Sequence, residues 1–216
     1  MLLERKHHTY AFGMFVQGRY NSSDSAGLIS MFSNMTLDEQ IDISSLNFSQ
    51  LWWRIWLDRS VTQRYLVIKN KYETAFVADG GQRLRRLLAA AGHSELLWEI
   101  PKGRKQRGVT GVIEEDIHCA VREFREETNI DKYQYKMTIN TIKHSYVDDG
   151  VCYANKYYVA IAGKTAASVT RFAHRDQLHE VRAVRWLGLT DLAVVDHAPG
   201  LSRVMRTAFN ICKKIK

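Results

Sequence analysis

Between positions 114 and 127, four of the chain's glutamates and one of its arginines stand at spacings that could do chemistry: Glu114, then Arg122-Glu123, then Glu126-Glu127. On a helix Glu123, Glu126 and Glu127 fall at i, i+3 and i+4, which puts three carboxylates on one side within reach of a common point. Like charges that close repel unless a cation stands among them. Hard oxygen donors suit Mg²⁺ or Mn²⁺, which keep several waters and bind through carboxylates and substrate phosphates. The chemistry implied is phosphate-centred. The spacing alone leaves one alternative open, a solvated acidic face whose glutamates pair only with Arg122 and Arg125.

A carboxylate wall needs a rigid support. Ile117, Ala120, Val121 and Phe124 follow helical spacing, so a helix over 114–128 has an apolar side to lay against a sheet. Segments 96–100, 135–146, 151–162 and 181–187 are rich in β-branched and aromatic residues and read as strands, with Asp149-Gly150 as a hairpin turn. A closing helix follows Pro199, with Leu201, Val204, Met205, Ala208, Ile211, Cys212 and Ile215 along one face. Residues 16–92 have a helical texture instead. Thr36 and Glu39 form a capping box, Asn47 can cap 48–57, and Gly81 and Gly92 bracket 82–91. The expected organisation is therefore a strand-bearing domain from 1–15 and 93–216, interrupted by an all-helical insertion at 16–92.

Composition sets the outer limits. The 216 residues are 45% hydrophobic and 25% charged, ordinary for a globular chain, and no stretch approaches the length of an apolar membrane span. Collagen-like, disordered and membrane-spanning classes are excluded. Lys and Arg number 31 against 23 Asp and Glu, a net charge of +8, which favours polyanionic partners such as nucleic acid, nucleotides or inositol phosphates. Cys119, Cys152 and Cys212 have no Cys-x-x-Cys spacing, so neither a disulfide framework nor a zinc ribbon is encoded. The eight histidines form no ligand pattern. Without a signal-peptide core at the start, the expected compartment is the cytoplasm.

The acidic segment reproduces the Nudix box: a glycine, then Glu114, seven residues, Arg122-Glu123, the apolar Phe124, Arg125, Glu126-Glu127, Thr128, Asn129 and the apolar Ile130. Its five charged positions coincide by chance in such a chain on the order of 10⁻⁴ of the time. The chain is identified on these residues as resembling the Nudix hydrolases. It departs from the pattern at Asn129, which replaces the last glycine, and Asn is the residue that next most readily enters the left-handed conformation. The first glycine is Gly103 by the match of Trp98-Glu99-Ile100-Pro101-Lys102-Gly103, or Gly108 by counting; Gly103 is preferred because a turn after a strand aims its carbonyl at a metal. By this resemblance Glu123, Glu126, Glu127 and the Gly103 carbonyl are metal ligands and Arg122 holds the carboxylates in place. Glu126, Glu127 and Arg122 are then catalytic, with Glu180 as candidate base and Asp148 and Asp149 as competitors.

The likeness runs beyond the box. Thr9-Tyr10-Ala11-Phe12, Ser30-Met31-Phe32-Ser33-Asn34-Met35-Thr36, Leu51-Trp52-Trp53-Arg54-Ile55-Trp56, Asn155-Lys156-Tyr157-Tyr158 and Ala208-Phe209-Asn210 are similar to the mRNA-decapping Nudix enzymes of large DNA viruses. That resemblance implies an α/β fold, a Nudix α/β/α sandwich with a mixed sheet plus an all-helical, RNA-binding insertion. It implies hydrolysis of capped mRNA to m7GDP and 5′-monophosphate RNA in the host cytoplasm, in the manner of host shutoff. Diphosphoinositol or dinucleoside polyphosphates are the alternative substrates. An RNA-binding protein with a lapsed hydrolase site is a third reading, against which the intact box argues. The family usually begins with an additional strand, so this chain is expected to start late.

Cap recognition needs two aromatic faces around a cationic guanine, and Tyr10 and Tyr158 are the expected pair, with Phe12 and Tyr157 as substitutes. Residues 59–107 carry eleven basic side chains against four acids, a density that can neutralise several phosphates. Lys69, Lys71, Arg83 and Arg86 are the expected RNA contacts there, while Lys102 and Arg104 flank the metal turn. Tyr65 and Tyr72 are stacking candidates; the tryptophans of 51–56 read as core by their helical spacing.

Overall fold

Two sets of apolar residues divide the chain into two units, His8–Leu96 and Met1–His7 with Leu97–Lys216. The computed structural model describes residues 2–56, 61–96, 98–109, 111–148, 151–163, 181–190 and 201–215.

The first unit is helical. Thr9 accepts from the Phe12 N–H to start α1 (Tyr10–Val16), and Asp24 caps α2 (Ser25–Ser33) in the same way. Thr36 and Asn47 open α3 (Leu37–Ser45) and α4 (Phe48–Ile55) with reciprocal capping boxes. Helix α5 (Gln63–Tyr72) runs into a π-helical turn, Glu73–Val77, and α6 (Gln82–Ala90) starts after Gly81, whose φ of 77° favours glycine. The core joins Phe12, Phe15, Phe32, Met35, Leu51, Trp52, Tyr65, Tyr72 and Phe76. Because Phe12, Phe15 and Val16 bury themselves in it, residues 8–15 belong to this unit and not to the strand-bearing one, as the sequence reading had placed them. Tyr65 and Tyr72 are likewise buried core side chains, so neither offers a face for a base. Of the tryptophans Trp52 is core, whereas Trp53 and Trp56 are exposed.

The second unit carries the strands. Strand β1 (Leu2–Lys6) lies between β2 (Trp98–Glu99) and β5 (Val181–Trp186), antiparallel to both. Strands β3 (Tyr135–Asp148) and β4 (Val151–Ala162) form a long antiparallel ribbon, in register from Thr141↔Tyr158 to Asp148↔Val151. Helix α7 (Asp116–Thr128) lays Phe124 against Tyr135 and Val184, with Ile130 buried beneath. Helix α8 (Leu201–Ile215) packs Leu201 and Met205 against Leu187, Trp98 and Ile100. Helices on strands, with a separate helical unit, give the expected α/β class. Among the described residues no helix is long and apolar enough to cross a membrane.

A buried carboxylate ties the helical unit together. Glu39, 4% exposed, accepts from the Thr9 N–H (2.7 Å), the Thr9 hydroxyl (2.8 Å) and the Thr36 N–H (2.9 Å), so one side chain caps α3 and anchors the start of α1. Replacing it strands these donors. Glu39→Ala should lower the stability of the chain by about 2–3 kcal/mol in urea unfolding followed by tryptophan fluorescence; a loss below about 0.5 kcal/mol would show that water satisfies the donors equally well.

Candidate functional site

The acidic residues are brought together by α7 and the loop that precedes it. Helix α7 ends at Asn129, which takes the left-handed conformation (φ 56°, ψ 25°) and donates its N–H to the Arg125 carbonyl at 2.8 Å. The asparagine thus does the work of the glycine it replaces. The loop between β2 and α7 folds on itself through the Arg107↔Ile113 bridge and the Gly108 N–H donating to the Val112 carbonyl. Gly108 therefore belongs to this small excursion, and the Glu114 N–H returns to the Gln106 carbonyl at 3.0 Å.

Gly103 is the glycine that meets the acidic helix. A Cβ there would lie 1.9 Å from Cδ of Glu123, so the backbone and the carboxyl group approach as only glycine permits.

Arg122 organises the centre. Its Nε and Nη2 donate to the two oxygens of Glu114 (3.0 and 2.9 Å), and Nη1 donates to Glu123 and Glu126 at 2.8 Å each. Nη2 also donates to the Arg104 carbonyl at 3.0 Å, fastening the loop to the helix. These charge-assisted bonds push the guanidinium pKa up, Glu114 contributing most, and hold the Glu114 carboxyl below the usual carboxylate range. Cys119, packed beneath, has its thiol pushed up by burial.

Glu127 is the most sheltered of the acids at 2% exposure. It accepts from the Lys6 ammonium at 2.5 Å and from the Lys102 N–H at 2.8 Å. The three carboxylates of α7 therefore do not meet at one point as their spacing predicts: Glu123 and Glu126 share Arg122, while Glu127 turns to Lys6. Like charges on one helical turn settle onto the nearest cations. Lys6, from a strand 121 residues away, is a site residue that the sequence reading missed, and no local motif marks it.

Among the described residues no group of three or more His, Cys, Asp or Glu side chains forms a preformed metal cage. The donor chemistry nonetheless fits a hard divalent ion. The available side-chain ligands are oxygens throughout, and the Gly103 backbone lies against the Glu123 carboxylate.

A cavity of about 1180 Å³ opens beside this centre, lined by Lys102, Gly103, Glu123 and the β4 residues Lys156, Tyr157 and Tyr158 among others. At its wall Asp116 pairs with Lys105 and, at 3.1 Å, with Lys156; the two ammonium groups hold its carboxyl low, Lys105 first. The Lys156 ammonium lies 5.1 Å from the centre of the Tyr158 ring. Neither Asp116 nor Lys156 was singled out for a role by the sequence reading, because their link spans 40 positions.

Other expected site residues have clear local roles. The Lys102 ammonium pairs with Glu99, and Arg104 is exposed on the loop. In the helical unit Tyr10 is 67% exposed on α1. Lys69 faces Glu73 at 3.8 Å, and Arg86 is exposed on α6. Lys71 donates to the Gly18 and Tyr20 carbonyls, and Arg83 to the Ser22 and Ala75 carbonyls, so both tie down the loop before α2. Glu180 and Asp149 lie outside the described residues, as does the side chain of Asp148.

Compared with known families, residues 74–208 match the NUDIX domain. The mRNA-decapping protein of African swine fever virus is 29% identical over 221 residues; in a warthog isolate from Namibia the match covers 98% of this chain and 88% of that protein, and in the Badajoz strain 98% and 86%. A crystal structure of a C. elegans Ap4A hydrolase binary complex aligns with a TM-score of 0.44 at 23% identity, covering 56% of this chain and 80% of that one.

Gly103→Ala isolates the contact between turn and helix. The added methyl must displace the Glu123 carboxylate, a flexible group, so the thermal midpoint should stay near the wild-type value while Mn²⁺ affinity, measured by isothermal titration, falls about 10- to 100-fold. Unchanged Mn²⁺ affinity would show that Glu123 is no ligand.

Proposed function

Since the chain belongs to the Nudix family and is thus a pyrophosphohydrolase, we propose that its substrate is the 5′ cap of mRNA, cleaved to m7GDP and a 5′-monophosphate RNA. The observation that carries this reading is the Arg122 network. It gathers loop and helix carboxylates beside Gly103 at one end of a cavity whose other wall is aromatic and basic. Similarity to a viral mRNA-decapping protein over nearly the whole chain supports the choice of RNA over small dinucleotides.

Nudix enzymes generally use divalent metals, and here Glu123, Glu126, Glu127 and the Gly103 carbonyl would hold Mg²⁺ or Mn²⁺. Such ions lower the pKa of a bound water and draw charge from diphosphate oxygens. Arg122 keeps Glu123 and Glu126 from swinging to solvent, and Lys6 does the same for Glu127. Lys102 and Arg104, on the turn beside these acids, would meet the bridging phosphates. Glu180 is the proposed base that takes the proton from the attacking water.

The guanine, cationic when methylated, is bound through stacking and cation–π attraction. Tyr158 lines the cavity and is proposed as one face of that sandwich. The Lys156 ammonium, 5.1 Å from the centre of the Tyr158 ring, supports this choice of ring. Half-buried Lys69 and exposed Arg86, with the remaining basic residues of the helical unit, would bind the RNA body, an affinity that falls steeply with salt. Lys71 and Arg83 contribute to it mainly by holding the loop before α2.

Cap-labelled RNA incubated with the protein and Mn²⁺ or Mg²⁺ should release m7GDP, and Glu127→Gln should lower the rate at least about a hundredfold. No cap diphosphate above the level of that variant would end the decapping proposal. Cleavage of inositol pyrophosphates in its place would move the activity to that substrate class.

A further inference from the structure

Beyond the site the β3–β4 ribbon carries an aromatic series that no step of the reaction uses. On one of its faces His144, Tyr146, Tyr153, Asn155 and Tyr157 alternate with exposed residues and are themselves half-buried. Tyr146 and Tyr153 are cross-strand partners with ring centroids 5.3 Å apart and planes 15° from parallel, and His144 stacks on Tyr146 at 5.7 Å. Asn155 donates its amide to the Tyr157 hydroxyl at 3.3 Å.

The series begins at the candidate site. Tyr153, Asn155 and Tyr157 line the same cavity as Lys102 and Gly103. The charges of Lys102 and Glu99 act on the Tyr157 phenol, which burial pushes up. From Tyr157 to Tyr153 the strand covers about 13 Å, so the rings lead outward from the turn that would hold the phosphates.

Charge on the ribbon complements a polyanion. On the opposite, exposed face of the ribbon Lys143 and Lys156 stand across the strands from each other, a like-charge pair that costs energy unless an anion lies near. Asp116 answers Lys156, while among the described residues Lys143 forms no ion pair. Rings in a row leading out of a cavity flanked by Lys102 are what a single strand requires, since bases stack on aromatic faces.

We propose that the aromatic face of this ribbon, Tyr157 with His144, Tyr146 and Tyr153, is a stacking platform for the bases of single-stranded RNA as it leaves the hydrolytic site. The proposal deepens the decapping reading, on which the direction of the strand rests. It assigns the ribbon the nucleotides next to the cap and predicts contact with bases, which charge alone does not give.

The test uses uncapped 5′-monophosphate RNA of about twelve nucleotides and an abasic strand of equal length, with binding to the whole protein read by fluorescence anisotropy. Tyr146→Leu with Tyr153→Leu keeps apolar bulk and removes both rings; it should weaken RNA binding about tenfold or more and leave the abasic strand unchanged. Tyr146→Phe with Tyr153→Phe keeps the rings and should bind as wild type. Equal RNA binding by the leucine variant, or equal loss for both strands, overturns the proposal. A second measurement needs no variant: ultraviolet crosslinking of 5-bromouridine RNA to the wild-type protein should map to residues 142–157, and crosslinks confined to other segments overturn it too. Neither readout depends on hydrolysis. A protein that passes both yet releases no cap diphosphate therefore keeps the platform and loses the decapping reading.

Discussion

One guanidinium sets the terms of the site. Three carboxylates brought to one place, two of them a helical turn apart on α7 and one from the loop before it, would splay apart in water. Arg122 holds Glu114, Glu123 and Glu126 through its planar fork and adds a bond to the Arg104 carbonyl. A lysine could not replace it, because an ammonium lacks the rigid, multidirectional donor geometry that reaches three acids and a carbonyl together. The rest of the unit serves this contact: Phe124 and Ile130 fix α7 on the strands, Asn129 ends it in a left-handed turn, and Gly103 leaves room for Glu123.

The same economy of charge runs through the molecule. Buried or sheltered acids are met by several donors, as Glu127 is by Lys6 and Lys102 and Glu39 is by Thr9 and Thr36. Several basic side chains are spent inside the fold on carbonyls, Lys71 and Arg83 foremost. A count of positive residues therefore overstates the charge available to a polyanion. What remains outward, on α6, on the loop around Arg104 and along the ribbon, is the field that an RNA would meet.

Much of this was legible in the sequence wherever a local rule decides the outcome. The capping boxes at Thr36 and Asn47 start helices where they should, three of the four expected strands and both expected helices of the second unit fall close to their bounds while 96–100 shortens to Trp98–Glu99, and Asn129 adopts the conformation that its substitution for glycine implied. The choice of Gly103 over Gly108 rests on the strand before it, and Gly103 is the glycine whose backbone abuts Glu123. What could not be read depends on residues distant in the chain. The Lys6–Glu127 pair and the Asp116–Lys156 link have no periodicity to announce them. Tyr65 and Tyr72, interleaved with lysines, look like a stacking surface in one dimension and prove to be core, since helical spacing alone does not say which face is inward. The join between the units was misplaced for a similar reason, because Phe12 and Phe15 carry no signal for which core they will enter.

The central claim is that the acids gathered by Arg122 and Lys6 form a metal site beside the Gly103 turn. Anomalous diffraction from crystals grown with Mn²⁺ tests it most directly. The account predicts manganese peaks in direct contact with carboxylate oxygens of Glu123, Glu126 or Glu127, with the Gly103 carbonyl in the same coordination sphere. Peaks located elsewhere, with these acids still held by Arg122 and Lys6 at saturating Mn²⁺, would contradict it.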